Sequence, residues 1–192
     1  MSSEIPAEET GMDTAPANVL VVEDERELAE MYAAFLPEYE TEIAHGGEEA
    51  LDRLSSSFDV VVLDRRMPVV SGNEVLAAIE ERGLDCRVAM VTAADPDFDI
   101  IDLRIDDYLV KPVTREELRE TVSRLLKLDE YNERMRELTS RKLKRNVLEL
   151  EKKRAELEES NEFETLQSEI AALECEVDSL ADELDFEGMA EF

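Results

Sequence analysis

Glu23 and Asp24 follow the apolar run Val19-Leu20-Val21-Val22, Asp64 closes Val60-Val61-Val62-Leu63, Thr92 follows Val88-Ala89-Met90-Val91, and Lys111 follows Tyr108-Leu109-Val110. If these runs are neighbouring parallel strands, all five side chains gather at one edge of a sheet, outside the carboxyl ends of its strands, where such sheets place ligands. Carboxylates brought that close repel one another unless a cation sits among them. A few hard oxygen donors suit Mg²⁺, which keeps waters and leaves room for a phosphoryl oxygen. Lys111 offers a compact positive charge to the same anion. An aspartate, a divalent metal, an ammonium and a hydroxyl are the parts needed for phosphoryl transfer to a carboxylate. Each residue alone has a duller role. Acids suit the first turn of a helix, a threonine after a strand is commonly an N-cap, and Asp64 could cap a turn. Their order at successive strand ends carries the functional reading.

The elements that must position them alternate along residues 18–128. The three apolar runs, with the weaker Thr41-Glu42-Ile43-Ala44 and Tyr108-Leu109-Val110, make five strands, of which the continuous runs suit burial on both faces. Helical patterns lie between them. Leu28, Met31, Tyr32 and Phe35 share one face ahead of Pro37, and Ala50, Leu51 and Leu54 mark a short second helix. Ser71-Gly72-Asn73-Glu74 has capping-box spacing and opens a third helix that Gly83 ends. Pro96 to about Leu103 suggests a short fourth, and Thr114-Arg115-Glu116-Glu117 caps a fifth carrying Leu118, Val122, Leu125 and Leu126. The implied fold is α/β: a five-stranded, doubly wound parallel sheet covered on both faces.

Composition bounds the class. The chain has 192 residues, 43% of them hydrophobic, so it can fill a core, while its net charge of −29 opposes retention on nucleic acid by the overall field. No apolar run reaches the roughly 18 residues a membrane span needs, and no secretory signal opens the chain. Cys86 and Cys175 have no clustered partner, which suggests reduced thiols in a cytoplasmic protein. The charge is uneven: residues 1–17 carry −4, 18–128 carry −14, 129–160 balance nine acids against nine bases, and 161–192 carry −11 with no base. Acid excess with 15 Arg but 6 Lys suggests a high-salt cytoplasm, where screening weakens self-repulsion.

The motifs resemble those of the receiver domain of two-component response regulators, from about Asn18 to Leu128. They are Val19-Leu-Val-Val-Glu-Asp-Glu25, Val61-Val-Leu-Asp-Arg-Arg-Met-Pro68, Ser71-Gly-Asn-Glu-Val-Leu76, Val91-Thr-Ala93 and Asp106-Asp-Tyr-Leu-Val-Lys-Pro112. The resemblance implies a flavodoxin-like fold and makes Asp64 the phosphoacceptor for a sensor histidine kinase. It implies Mg²⁺ held by Asp24 and Asp64 directly, by Glu23 through a water, and by the backbone carbonyl of Arg66. Thr92 would bond the phosphoryl group, Tyr108 would swing inward with it as the switch aromatic, and Lys111 would contact a phosphoryl oxygen from a cis bond to Pro112. The implied activity is not that of a conventional enzyme: the domain catalyses its own Mg²⁺-dependent phosphorylation and dephosphorylation. The interval from Thr92 to Tyr108 is shorter than the family's usual one by about one helical turn, and Arg104-Ile105 replaces the small pair before Asp106, so the fourth helix is expected to be short or irregular. His45, the only histidine, falls in an Ala-His-Gly-Gly turn and is expected in a surface loop.

Residues 1–17 suggest a disordered acidic tail, and 129–192 a helical region with a frayed acidic end. No Pro or Gly occurs from Asp129 to Leu184, so continuous helix forms easily. Phe163, Leu166, Ile170, Leu173, Val177, Leu180 and Leu184 alternate by three and four as a coiled-coil seam does. Asn161-Glu-Phe-Glu164 resembles a capping box. The preceding segment carries Tyr131, Met135, Leu138, Leu143, Val147, Leu150 and Leu157, in a register that slips midway. A break near Ser160-Asn161 suggests an antiparallel hairpin, whose basic first helix would pair with its acidic second. Alternatively Arg141, Lys142, Lys144 and Arg145, in a stretch without acids, together with Lys152-Lys153-Arg154, form a local nucleic-acid contact. The whole chain resembles haloarchaeal response regulators with a HalX-type helical extension, which implies a transcriptional output; a homodimer is expected as well. A protein-interaction or oligomerisation module without DNA binding is the alternative.

Overall fold

The computed structural model describes residues 16–93, 101 and 103–188. Its elements run β1 (Asn18–Val22), α1 (Arg26–Phe35), β2 (Glu40–Ala44), α2 (Gly47–Arg53), β3 (Val60–Asp64), α3 (Gly72–Arg82), β4 (Arg87–Thr92), β5 (Asp107–Val110), α4 (Arg115–Glu151), α5 (Arg154–Glu158) and α6 (Asn161–Gly188). The strands form one parallel sheet in the order β2-β1-β3-β4-β5. Starting at β1, the chain winds out to one edge and then returns past β1 to build the other. The carboxyl ends of β1 and β3 therefore flank the crevice at which the order reverses.

Alternation along each strand feeds two cores. Leu20, Val22, Val61, Leu63, Val88 and Met90 face α2 and α3, where Ala50, Val75, Leu76 and Ile79 meet them. Val19, Val21, Val60, Val62, Ala89 and Val91 face Tyr32 and Leu36 beside α1 and Leu118, Val122 and Leu125 of α4. Burying each such aliphatic side chain stabilises by roughly 1.5–3 kcal/mol. On the face of α1 expected from sequence, Tyr32 is buried and Met31 is exposed, while Ala29 is buried beside Tyr32. Both expected capping boxes form, at Ser71 with Glu74 and at Thr114 with Glu117, and Gly83 ends α3 in the left-handed region at φ 63°. The bond between Lys111 and Pro112 is cis. The expected fourth helix lies outside the described residues apart from Ile101 and Leu103, as does nearly all of the expected acidic tail.

The helix capped at Thr114 does not stop where the sheet stops. It continues for 37 residues to Glu151, since no Gly or Pro interrupts it. Beyond the sheet it turns its opposite face to α6, which runs back antiparallel. Leu138, Phe163, Leu166, Ile170, Leu173 and Val177 form the buried seam of this hairpin, with Tyr131, Met135, Leu148 and Leu157 at its edge. Lys127–Glu183 at 3.3 Å, Arg134–Glu176 at 3.3 Å and Arg141–Glu169 at 2.7 Å line its flank. They step by seven residues on both helices in opposite senses, which fixes the register. Each is partly exposed and contributes little energy, about 0.2–1 kcal/mol.

Two details differ from the sequence expectation. The hairpin turn has two breaks, because α4 ends at Glu151 and the short α5 intervenes before α6. The cap of α6 is Ser160, not Asn161: its Oγ accepts from Phe163 N–H at 3.2 Å, three residues on. The slip in the first helix's register also has a physical origin. Leu143, Val147 and Leu150 lie outside the hairpin seam and are exposed, while the positions facing α6 between Leu138 and Leu148 include Arg141 and Lys142, paired with its acids.

Candidate functional site

The carboxyl edge of the sheet brings together the residues singled out by sequence. Glu23, Asp24 and Asp64 each offer a carboxylate oxygen, all within 4.8 Å of one another. Glu23 is 1% exposed and Asp64 5% exposed, in a protein with acids to spare on its surface. Lys111, carried from β5, spans two of them: Nζ donates to Glu23 Oε2 at 2.7 Å and to Asp64 Oδ2 at 2.9 Å. Asp64 Oδ1 accepts from the N–H of Arg66 at 3.1 Å. Thr92 closes β4 fully buried, with Val91 paired to Asp64 across the sheet. Lys111 N–H donates to the Thr92 carbonyl at 2.7 Å, which ties the turn after β5 to the end of β4. Tyr108 is half-buried on β5 beside Met90 and packs against the α2/α3 side of the core.

Electrostatics follow from this crowding. Burial raises the Glu23 carboxyl above the ordinary glutamate range; the hydrogen bond from Lys111 opposes the shift and the neighbouring charge of Asp64 reinforces it. Burial alone would pull the Lys111 ammonium down, but its hydrogen bonds to Glu23 and Asp64 outweigh that and hold it above the lysine range. All three clustered donors are hard oxygens, with no thiol or imidazole among them. That donor chemistry fits Mg²⁺ and disfavours zinc.

Sequence spacing did not reveal several positioning residues. Gly72, seen only as part of a capping sequence, lies against the end of β3: a Cβ there would fall 2.3 Å from the Asp64 carbonyl oxygen. No substitution fits without moving the loop that carries Asp64. Val69, in the same loop, has φ 68°, strained for a β-branched residue. At the opposite end of β4, Arg87 pairs with Asp106 at 3.1 Å and with Asp129 of α4 at 2.7 Å. Arg124 of α4 pairs with Asp107, the neighbour of Tyr108. Only the folded sheet shows that these contacts lock the long helix to β4 and β5.

The remaining candidates are apart from this edge. His45 is half-buried in the loop after β2. Cys86 and Cys175 are free thiols, and burial pushes that of Cys86 up to about 11, which leaves it protonated and unreactive near neutrality. In the basic run, Arg141 and Lys142 are taken up by Glu169 and Glu174, each at 2.7 Å. Arg145 lies 3.9 Å from Glu149, and Lys144 is exposed. No described helix is long and apolar enough to cross a membrane.

Comparison with known proteins matches this architecture. Residues 19–123 match the model of the response regulator receiver domain, and residues 127–192 that of the HalX domain. The "Putative transcriptional regulator" of Haloferax volcanii is 52% identical over 121 residues, covering 62% of this chain and 21% of that protein. The transcriptional regulatory protein DltR of Streptococcus agalactiae is 37% identical over 106 residues, covering 52% of this chain and 47% of the other. The chain thus spans about a fifth and about half of the length of these two relatives. Among solved structures, TrrA of Thermotoga maritima in complex with Mg²⁺-BeF superimposes with a TM-score of 0.52 at 36% identity, covering 57% of this chain and 99% of that one. The Vibrio cholerae chemotaxis protein CheY4 gives a TM-score of 0.55 at 31% identity, covering 58% and 100%.

Proposed function

The chain belongs to the response regulator receiver family and carries a HalX domain behind the receiver, and from that premise we propose that it accepts a phosphoryl group on Asp64 from a sensor histidine kinase and uses it to switch the helical hairpin. The observation that carries this reading is Lys111 bridging Asp64 and Glu23 inside a cluster of three carboxylates. A part-buried lysine between acids is poised to exchange a carboxylate oxygen for an incoming phosphoryl oxygen. The receiver then spans about 18–128, with the hairpin as its output, in a cytoplasm whose high salt the acid-rich composition and the Haloferax relative both favour.

The chemistry follows from the residues. A carboxylate oxygen of Asp64 attacks phosphorus in line, the new O–P bond forms as the bond to the donor's imidazole nitrogen breaks, and that nitrogen leaves with the donor. Lys111 offsets charge on one equatorial oxygen and the Thr92 hydroxyl donates to another. Asp24, Asp64 and the Arg66 carbonyl, with Glu23 through a water, are the residues that would hold Mg²⁺, which supplies positive charge for the same oxygens. Drawing Thr92 toward the phosphoryl group vacates space into which Tyr108 rotates. Tyr108 adjoins Asp107, which Arg124 holds, so movement of β5 is passed to α4 and hence to the hairpin. Incubation with a small acyl-phosphate donor and Mg²⁺ tests the reading: intact mass should rise by one phosphoryl group, and no gain would defeat it.

The raised pKa of Glu23 gives a pH dependence. Its folded value lies above its unfolded one, so the metal-free folded state holds this proton more tightly than the unfolded chain does. Its contribution to stability is full below the unfolded value and declines as pH rises through the folded one. A bound cation must displace that proton. Mg²⁺ affinity is therefore expected to climb with pH above the ordinary glutamate range and to level once Glu23 ionises, with protons released on binding. Titration calorimetry in buffers of different ionisation enthalpy checks this, and Glu23→Gln should flatten the profile.

The relatives' names favour a transcriptional output. A DNA contact would then fall at the hairpin turn, because Lys152 and Lys153 are exposed there and no described acid pairs with them, whereas Arg141 and Lys142 serve the hairpin. Replacing Lys152 and Lys153 by Gln should reduce the salt slope of DNA binding by about two. Arg141→Gln should instead lower the melting temperature of the hairpin and leave that slope within about one. A slope that drops more for Arg141 than for the lysine pair would move the contact into the helix.

A further inference from the structure

On α4, Leu143 is 64%, Val147 50% and Leu150 84% exposed. Their spacing of four and three places them on one stripe. The stripe continues the face that, further back on the same helix, buries Leu118, Val122 and Leu125 against the sheet. Asp129, Asn132, Arg136 and Ser140 interrupt the face where the sheet ends, and the apolar character then resumes. This segment thus presents two seams, one filled by α6 and one bare.

We propose that the bare seam is the contact between two copies of this chain, formed by antiparallel packing of one α4 against the other about Val147. Three observations select a second copy as the occupant. The stripe is short and centred on Val147, so a two-fold axis there sets Leu143 near Leu150 of the partner copy in both directions, as an isologous interface requires. Lys144 and Glu151 lie on the same flank of the stripe, seven residues apart and without an ion pair to a described residue. The antiparallel arrangement puts each Lys144 opposite the other copy's Glu151, twice over. A parallel arrangement would face them with Asn146 and Thr139, which offer no charge. Finally, residues 129–160 are electrically balanced in a chain of net −29, and α6, with its acids and no base, covers the other side of α4. This is a surface that a second, equally acidic copy can approach back to back, with both acidic helices held outward.

The seam is bare in the protein as described, so this association does not depend on phosphorylation of Asp64, and it stands whether or not DNA is bound. Sedimentation equilibrium of the full chain in molar KCl tests it, since salt screens the net repulsion and spares apolar contact. The expected mass is that of two chains. Val147→Lys should reduce it to one chain while helicity and receiver melting stay unchanged, because the position faces solvent in the single chain. Lys144→Glu and Glu151→Lys should each weaken association about tenfold by setting like charges opposite, and the double exchange should restore it. That reciprocal rescue is specific to a self-complementary contact. A wild-type protein of one-chain mass at every concentration, a dimer indifferent to Val147→Lys, or failure of the double exchange would overturn the proposal.

Discussion

Asp64→Asn is expected to abolish labelling by small phosphodonors in Mg²⁺, a loss of at least about 10³-fold, while leaving the fold intact. The substitution replaces the attacking carboxylate oxygen with a neutral amide of nearly the same shape. Asp64 Oδ1 accepts from the Arg66 N–H and Oδ2 from Lys111, so the single amide oxygen keeps one of these bonds; with that oxygen toward Arg66 the loop keeps its anchor, and Lys111 keeps its bond to Glu23. What is lost is the nucleophile, and single nucleophile deletions remove most of the catalysis such a unit provides. Melting of the receiver is expected to move by no more than a few degrees, because a site that crowds three acids together loses one negative charge. Glu23 then retains Lys111 as partner, and its carboxyl should shift toward the ordinary range as the Asp64 charge disappears. Undiminished labelling of the variant would place the acceptor elsewhere. In cells, locus enrichment of the phosphorylated protein that vanishes in Asp64→Asn would establish transcriptional output.

The clustering of these side chains at the carboxyl edge was legible in the sequence because parallel strands impose order. Each apolar run of four residues buried on both faces must be a strand, and whatever follows it lies at the same edge. Glu23, Asp24, Asp64 and Thr92 are reached by that reasoning, and Lys111 by the weaker run Tyr108-Leu109-Val110. The contacts that join α4 to the sheet were not legible, since Arg87, Asp106 and Asp129 are far apart in sequence and no motif links them to one another. Gly72 shows the same limit: its capping role is local and readable, its approach to the Asp64 carbonyl is tertiary. In the extension, the 4-3 pattern of α6 predicted a seam but not its partner, because the pattern is identical for an intramolecular and an intermolecular helix pair. The ambiguous pattern of α4 is explained by two overlapping stripes on one helix, which no single-period template separates.

Leu173→Lys separates the two roles of these stripes. Leu173 is 7% exposed at the centre of the hairpin seam, between Ile170 and Val177. Lysine there removes a buried isobutyl group and brings an ammonium against apolar neighbours, at a cost of about 3–5 kcal/mol. The four ion pairs between α4 and α6 are partly exposed and cannot offset that loss. The hairpin is therefore expected to open, with a large fall in helical circular dichroism from α6 and exposure of its amides to hydrogen exchange, while the β-sheet amides stay protected. The segment of α4 from Arg115 to about Asp129 should also stay protected, because Leu118, Val122 and Leu125 hold it to the sheet and Arg87 and Arg124 pin its flank. Phosphoryl transfer to Asp64 should proceed at an unchanged rate, since no residue of the acceptor site touches the hairpin seam. The contrast with Val147→Lys is the decisive measurement. A lysine on the bare stripe should change mass and leave helicity alone, whereas a lysine in the filled seam should lose helicity first. If Leu173→Lys instead left a fully helical protein of halved mass, the Phe163–Leu184 seam would be intermolecular and the hairpin would open into a shared bundle.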